Sequence, residues 1–194
     1  MPKKFEKIFI SHCENQDLEV NPNQIAVIEK LDKYYYTNFK SFFSKLFSKK
    51  KSKKGFYLYG GVGVGKTMIL NFFYDHLQEK KLKQHFNEFM LGFHDFIHER
   101  KEKNEENLIN HFVKNLKSKA TLIYFDEFQV TNIVDAMILG KLFHQIFKED
   151  IKIIVTSNTK ISELYKEGLQ REQFLPFIKI MEDQSIEQEL KIED

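Results

Sequence analysis

Residues 60–67 read Gly-Gly-Val-Gly-Val-Gly-Lys-Thr, and this stretch decides the fold. It matches the pattern G-x-x-x-x-G-K-[ST], in which a glycine-rich loop wraps around phosphate groups. The apolar run 57–59 before it predicts the end of a buried strand, and the run 68–70 after it predicts the first turns of a helix. Because the motif requires a strand, a loop and a helix in that order, the stretch predicts a nucleoside triphosphate site.

The residue types in this loop follow from the chemistry of phosphate binding. Glycines allow close backbone approach, and successive N–H groups together with a helix N-terminus then attract an anion. The Lys66 ammonium is expected to lie across the β and γ phosphates, and the Thr67 hydroxyl to bind Mg²⁺. The predicted nucleotide-binding residues are Gly60, Gly61, Val62, Gly63, Val64, Gly65, Lys66 and Thr67. The alternative is a glycine-rich turn with a chance lysine.

A second apolar run ends in two acidic residues, as the metal-binding strand of such sites does. Residues 122–127 read Leu-Ile-Tyr-Phe-Asp-Glu. Asp126 is predicted to hold the magnesium ion, directly or through water, and Glu127 to polarise the attacking water. The other interpretation is a simple turn at the end of a strand. The presence of Glu127 favours ATP hydrolysis over binding alone.

Two further residues are candidates for contact with the γ phosphate. Asn158 follows the apolar run 153–155, so it can act as a polar sensor at a strand tip, or simply form a turn. Arg171 is one of only two arginines in a lysine-rich chain. Its planar guanidinium suits phosphate charge, so it is either an arginine finger that reaches a neighbouring subunit or part of a surface salt bridge.

Composition bounds the remaining possibilities. The chain has 194 residues, enough for one domain with a real core, and a net charge of +2 that does not demand a nucleic-acid partner. A single cysteine, Cys13, excludes an intrachain disulfide, and no apolar stretch reaches the length of a membrane span. With no leader-like N-terminus, the expected location is the cytoplasm.

Two local patterns allow more than one interpretation. The lysine-rich run 49–54 is either a solvated connector or a contact for nucleic acid or an acidic surface. The residues His94-Asp95-Phe96-Ile97-His98 superficially resemble a zinc-binding helix, but the acid is Asp and no third ligand is evident. Exposed or partly packed histidines account better for the second pattern.

Strand and helix patterns alternate along the chain, which predicts an α/β fold with a mostly parallel sheet covered on both faces. Residues 1–20 are polar and mixed, and a helix then begins at the Asn21-Pro22 cap and continues to about 46. Strands are predicted at 55–59, 83–89, 121–125 and 151–156, and helices at 66–80, 90–100, 108–116, 132–147 and 161–165. The predicted organisation is an N-terminal helical segment at 1–54, a nucleotide-binding core at 55–181 and an exposed acidic tail at 182–194.

Taken together, these segments resemble the AAA+ ATPases of the ZapE cell-division type, a P-loop NTPase family with mitochondrial relatives that act in protein quality control. The resemblance runs from about residue 20 to 180 and is carried by residues 55–67, 85–90, 125–131, 135–139, 156–158, 164–171 and 174–178. It implies ATP as the nucleotide, a ring or transient homo-oligomer, and Arg171 as the finger. It also implies a protein partner, either a division-ring component or unassembled membrane-complex subunits.

The chain departs from the family pattern at several positions. Asn87 stands where a second histidine is usual, Asn132 stands where an aspartate is usual, and Lys160-Ile161 replaces a proline-rich turn. The family continues for a large segment beyond the point where this chain stops. From the resemblance we expect a truncated core that lacks the fifth strand, the helical lid and a second sensor arginine.

Three functions are therefore open from the sequence. The leading one is an Mg²⁺-dependent ATPase that remodels or regulates a protein partner. The second is a nucleotide-dependent interaction module without catalysis, since lid closure and the subunit interface could both be impaired. The third is a helicase-loader-like ATPase that acts at DNA, for which the lysine run is the motive and salt-sensitive DNA binding the test.

Overall fold

The computed structural model describes residues 4–40, 52–100 and 104–191. Its α-helices are α1 (Lys4–Asn15), α2 (Pro22–Tyr35), α3 (Lys66–Asp75), α4 (Phe86–His98), α5 (Glu105–Lys119), α6 (Ile133–Lys148) and α7 (Leu175–Gln184). Its strands are β1 (Gly55–Tyr59), β2 (Lys81–His85), β3 (Leu122–Asp126), β4 (Lys152–Ser157) and β5 (Ser185–Glu189). Within these ranges, no helix is both long enough and apolar enough to cross a bilayer.

The five strands form one sheet in the order β2-β3-β4-β1-β5, and every pairing is parallel. Strand β1, which precedes the glycine loop, therefore lies between β4 and β5. Strands β2 and β5 are the two edge strands of the sheet. Parallel strands bring their carboxyl ends to the same edge of a sheet. The glycine loop, Asp126 and Asn158 are thus gathered at one edge, although they are far apart in the sequence.

Side chains of the central strands alternate between two apolar layers, as the twofold repeat of a strand requires. On β3, Leu122 and Tyr124 pack with α1, α2 and α3, whereas Ile123 and Phe125 pack with α4, α5, α6 and α7. All four side chains are fully buried. The predicted three-layer α/β architecture with a parallel sheet is confirmed.

The C-terminal part of the chain differs from the prediction. Residues 182–194 were expected to form an exposed acidic tail, and the fifth strand was expected to be missing. Both expectations are wrong, because α7 extends to Gln184 and β5 pairs in parallel with β1, with Ser185 opposite Gly55. Strand β5 reads Ser-Ile-Glu-Gln-Glu and lies at the sheet edge, where an edge strand can carry charge without an apolar signal.

The N-terminal part also contains a helix that the sequence did not predict. Residues 4–15 form α1, which buries Phe5, Phe9 and Cys13 against the layer formed with α2 and α3. The buried Asp32 carboxylate on α2 accepts hydrogen bonds from the Phe5 and Glu6 backbone N–H groups at the start of α1. The predicted cap at Asn21 is confirmed, with Asn21 Oδ1 accepting from Asn23 N at 2.8 Å.

Other boundaries move by a few residues. Strand β2 begins at Lys81 rather than 83, and α4 follows it directly at Phe86. Helix α3 ends at Asp75 rather than 80, whereas a π-helical turn, Tyr36–Lys40, continues the chain after α2. The helix predicted to reach residue 46 lies only partly within the described residues. The lysines at 49–51 lie outside them.

Candidate functional site

The glycine loop lies between β1 and α3. At two of its glycines an added Cβ atom would lie very close to a neighbouring residue. A Cβ atom at Gly60 would lie 2.3 Å from the carbonyl oxygen of Leu190, the residue that follows β5. Gly65 precedes α3 with a φ of 93°, and a Cβ there would lie 2.9 Å from Gln24 Nε2 on α2. At Gly60 the clash is with backbone, so a side chain would push the loop away, whereas at Gly65 the Gln24 amide can move and the left-handed backbone is what favours glycine.

Lys66 is held inside the loop by its own hydrogen bonds. Its ammonium donates to the carbonyl oxygens of Gly60 at 2.9 Å and Gly61 at 2.6 Å, and to Asn158 Oδ1 at 3.1 Å. Burial lowers the pKa of Lys66, and the nearby Asp126 charge opposes that shift. The ammonium therefore lies beside the α3 N-terminus, and it joins the predicted sensor Asn158 to the loop.

The Asp126 carboxylate is surrounded by hydroxyl groups. Its Oδ1 accepts from Thr67 Oγ1 at 3.2 Å, from Tyr124 OH at 3.1 Å and from Thr156 Oγ1. Burial raises the pKa of the Tyr124 hydroxyl, and the Asp126 charge raises it further, so this group stays a donor. The sequence thus located Asp126 and Thr67 correctly as neighbours but missed Tyr124 and Thr156, the other two groups that orient the carboxylate.

Thr156 also fixes the backbone of the next acidic residue. Its Oγ1 accepts from Glu127 N at 3.0 Å, and its carbonyl oxygen accepts from Phe128 N at 2.8 Å. The one sequence signal for this role is a polar residue directly after the apolar run 153–155 of β4. A threonine there, opposite the acidic strand end, links β3 to β4 through its side chain.

The oxygen atoms at this edge suit a magnesium ion. Mg²⁺ binds hard oxygen donors, typically one or two carboxylates together with phosphates and water. Thr67 supplies a hydroxyl and Asp126 a carboxylate, and the hydrogen bond between them shows that both reach the same point. These two residues fit the predicted metal site and would hold the ion there.

Glu127 stands apart from this buried cluster. Its backbone is in the left-handed region, with a φ of 55°, and its side chain is 77% exposed. His85, at the end of β2, lies beside it, with 4.0 Å between His85 Nδ1 and Glu127 Oε2. A strained backbone at a strand end is typical of functional sites, and here it directs the carboxylate towards solvent.

Arg171 is also separate from the cluster. It opens a short 3₁₀ turn, Arg171–Gln173, directly after Gln170, which has a φ of 53°. Its Nη2 donates to the carbonyl oxygen of Ser162 at 2.9 Å. The hydrogen bonds of the described residues therefore join Arg171 to the segment after β4 and not to Lys66, Asp126 or Glu127.

The histidine pair on α4 has different partners. His94 Nε2 lies 2.7 Å from Asp135 Oδ1 at the start of α6, and Asn132 caps that helix by accepting from Asp135 N at 2.8 Å. His98 is exposed. Across residues 4–40, 52–100 and 104–191, no three His, Cys, Asp or Glu side chains converge as a metal cluster.

Comparison with known proteins is consistent with this geometry. The family model "AFG1-like ATPase" matches residues 12–192. A lactation elevated protein 1 homologue from Danio rerio is 40% identical over 70% of this chain and 29% of its own length. The cell division protein ZapE of Escherichia coli K12 is 38% identical over 69% of this chain and 37% of its own. The chain thus spans about a third of the length of these relatives.

Solved structures share the fold at low sequence identity. DnaI superposes over 100% of this chain and 93% of its own with a TM-score of 0.64 at 16% identity. The DnaC helicase loader superposes over 89% of this chain and 92% of its own with a TM-score of 0.59 at 14% identity. At these identities the likeness concerns the fold alone. The family match, by contrast, covers nearly the whole chain together with its phosphate loop and acidic strand, so the chain belongs to the AFG1-like ATPase family.

Proposed function

We propose that this chain is an Mg²⁺-dependent ATPase that binds and hydrolyses ATP in order to remodel or regulate a protein partner. The observation that carries the proposal is the convergence of Lys66, Thr67 and Asp126 at one edge of the sheet. Lys66 is already linked to Asn158, and Thr67 to Asp126, at hydrogen-bond distance. The ends of three strands and the N-terminus of α3 thus contribute polar groups to one candidate phosphate site.

Each residue has a defined task in this proposal. The loop N–H groups and Lys66 bind the phosphates, since both present positive charge at the start of α3. A bound Mg²⁺ ion supplies charge neutralisation on the phosphate oxygens. Asn158 contacts the γ phosphate, and the Glu127 carboxylate accepts a proton from, or orients, the attacking water. Arg171 acts on the nucleotide of a neighbouring copy.

The separation of Glu127 and Arg171 supports a homo-oligomer as the active form. Glu127 is largely exposed, and Arg171 contacts Ser162, so a single chain leaves both groups at its periphery. A neighbouring copy would bring its arginine to the phosphates beside the exposed carboxylate, where it would stabilise the charge of the transition state. The 38% identity to the E. coli cell division protein supports a role in cell division, and we propose that this role is exercised on a protein partner in the cytoplasm.

A second candidate is a nucleotide-dependent interaction module that does not hydrolyse ATP. The separation of the site residues motivates it. Lys66 and Asp126, which serve binding, are buried. Glu127, by contrast, is exposed, and Arg171 contacts Ser162. This module would bind ATP with negligible turnover at any protein concentration. Turnover measured across a wide concentration range therefore separates it from the leading proposal.

A DNA-directed function has less support. Of the lysine-rich run 49–54, the described Lys53 donates to the carbonyl oxygens of Glu182 and Ser185 at 2.9 and 2.8 Å. Lys54 donates to Phe147 O at 2.7 Å and lies 3.1 Å from Asp150. Because both ammonium groups serve contacts within the fold, nucleic acid is not proposed as a partner; DNA binding at low salt would revive it.

Replacing Glu127 with glutamine tests the proposal directly. Glu127→Gln keeps the shape and removes the basic carboxylate, so ATP hydrolysis should fall by about 10²- to 10⁴-fold while ATP binding is unchanged. The rate of hydrolysis is measured from the phosphate released. ATP binding is measured by calorimetry on the same preparations. Glu99→Gln, at the exposed end of α4, is the matched control and should behave as the wild type. Equal turnover in the Glu127→Gln variant would reject the assigned role.

A further inference from the structure

A lysine on the edge strand faces the predicted metal site. Lys83 lies in the middle of β2, opposite Tyr124 in the parallel register. Its Nζ lies 3.8 Å from Asp126 Oδ2 and donates to Asn71 Oδ1 on α3 at 2.7 Å. The ammonium also lies 5.0 Å from the centre of the Tyr124 ring. Its own strand β2, together with contacts from β3 and α3, therefore defines the position of the ammonium.

The two oxygens of Asp126 consequently have different surroundings. Oδ1 accepts from the hydroxyls of Thr67, Tyr124 and Thr156, which are neutral donors. Oδ2 faces the Lys83 ammonium, which is a full positive charge. Because Asp126 is only 6% exposed, water offers its charge little stabilisation, and the partly exposed Lys83 ammonium compensates in part for that loss.

We propose that Lys83 is a positioning residue of the magnesium site that sets its affinity for the metal. The ammonium neutralises the Asp126 carboxylate when no metal is bound. When Mg²⁺ binds through Thr67 and Asp126, the same ammonium repels it, so metal binding becomes weaker. This inference rests on the proposed Mg²⁺-nucleotide site and assigns to it a residue that no pattern in the sequence indicated.

The contact with Asn71 gives Lys83 a link to the phosphate-binding helix. Asn71 lies on α3, the helix that begins at Lys66. The amide oxygen of Asn71 holds the ammonium at 2.7 Å, closer than the Asp126 carboxylate at 3.8 Å. An ammonium anchored in this way can move off Asp126 while keeping one partner, and its side chain, which is 37% exposed, also reaches water.

The test is a titration of MgCl₂ against ADP binding, read by a fluorescent ADP analogue. In the Lys83→Met variant, the Mg²⁺ concentration that gives half of the maximal ADP affinity should fall about tenfold, equivalent to about 1.4 kcal/mol. The metal-free variant should also melt at a lower temperature, and Mg²⁺ alone should restore more of its stability than it does in the wild type. Lys83→Arg keeps the charge and should retain the wild-type Mg²⁺ requirement.

The controls separate this effect from general damage. Lys81→Met removes a lysine from the same face of β2 whose ammonium donates to Leu77 O at 2.8 Å, and it should leave the Mg²⁺ requirement unchanged. Lys83→Gln, which can still bond Asn71, serves if the methionine variant does not fold, with the same expected shift. An unchanged Mg²⁺ requirement in folded Lys83→Met, or in folded Lys83→Gln where the methionine variant does not fold, would overturn the inference. A wild type that binds no ADP at any Mg²⁺ concentration would instead overturn the proposed function.

Discussion

The site has two regions that differ in how far a single chain completes them. In the binding region, defined by Lys66, Thr67, Asp126 and Thr156, both threonines donate to Asp126 and Lys66 donates to the loop carbonyls. Lys66, Asp126 and Thr156 are less than 9% exposed. The hydrolytic region, defined by Glu127 and Arg171, has an exposed carboxylate and an arginine that contacts Ser162. This difference supports the proposal that one chain builds nucleotide binding, whereas hydrolysis requires a second copy.

The largest expected effect concerns Arg171. Arg171→Ala should lower the maximal rate of ATP hydrolysis about a thousandfold, because an arginine finger stabilises charge that develops only in the transition state. ADP affinity should stay unchanged, since Arg171 does not contact the binding region of its own chain. Steady-state phosphate release and ADP titration measure the two quantities.

Arg100→Ala is the matched control, since it removes the other arginine of the chain. Its guanidinium donates to Phe96 O at 2.9 Å at the end of α4, away from the predicted site residues. It should leave hydrolysis at the wild-type rate. Loss of ADP affinity in Arg171→Ala would contradict the separation between the two regions.

The next effect concerns Lys66, which belongs to the binding region. Lys66→Ala should weaken ADP binding about a hundredfold, because hydrogen bonds to charged groups contribute about 1.5–3 kcal/mol each. Calorimetry at fixed Mg²⁺ measures this change. Lys148→Ala, on the exposed end of α6, should bind ADP as the wild type does. Binding within threefold of the wild type in Lys66→Ala would remove this residue from the phosphate site.

A smaller effect is expected from the threonine that links the two acidic residues. Thr156→Val keeps the shape but removes the donor to Asp126 and the acceptor for Glu127 N. Glu127 N then loses its partner and Asp126 keeps two of its three hydroxyl donors, which should reduce the free energy of unfolding by about 1–3 kcal/mol, as measured by urea denaturation. Thr121→Val, whose hydroxyl donates to Lys80 O at 3.1 Å near the surface, should cost less. Equal costs would mean that Thr156 does not organise the binding region.

The smallest effect is expected at the amino ends of β1 and β4, where Lys54 and Lys152 interact with Asp150. Burial opposes ionisation of Asp150, but the hydrogen bonds and charges of Lys152 and Lys54 outweigh it and lower its pKa to about 2. A carboxylate whose pKa is lower in the folded state stabilises the fold above its ordinary pKa, and this contribution disappears as the pH falls from about 4 to about 2.

Asp150→Asn should therefore reduce stability at pH 7 and lose less additional stability than the wild type between pH 5 and pH 2.5. Asparagine tolerates the left-handed backbone at this position, where φ is 58°. Urea denaturation at each pH measures the difference, with Asp75→Asn at the exposed end of α3 as the control. Parallel stability curves for the wild type and Asp150→Asn would show that the carboxylate does not serve the fold in this way.

How much the sequence predicted depended on whether a feature was local. The glycine loop and the strand that ends in Asp126 were correct, because both are encoded by consecutive residues with a fixed geometry. Strand β5 was missed because an edge strand can satisfy its exposed side with Glu187 and Glu189, which gives no apolar alternation. Helix α1 was missed because the spacing of Phe5, Phe9 and Cys13 lies in a stretch of otherwise mixed polarity.

The remaining site residues could not have been predicted from local patterns. Thr156 and Lys83 reach Asp126 only because β4 and β2 flank β3 in the sheet, an order that the sequence does not state. The sequence predicted Tyr124 only as a buried strand residue. The hydrogen bond from its hydroxyl to Asp126 is known only from the structure. For Glu127, Asn158 and Arg171 the structure gives positions, and their catalytic roles stay predictions.

The central claim is that binding is complete in one chain, while hydrolysis needs a neighbour. The most direct test measures ADP affinity and the ATPase rate per subunit across a hundredfold range of protein concentration. We predict a constant affinity and a rate per subunit that rises with concentration in the wild type and stays near zero in Arg171→Ala. A rate per subunit that is independent of concentration and survives in Arg171→Ala would contradict the claim, because the hydrolytic site would then be complete within a single chain.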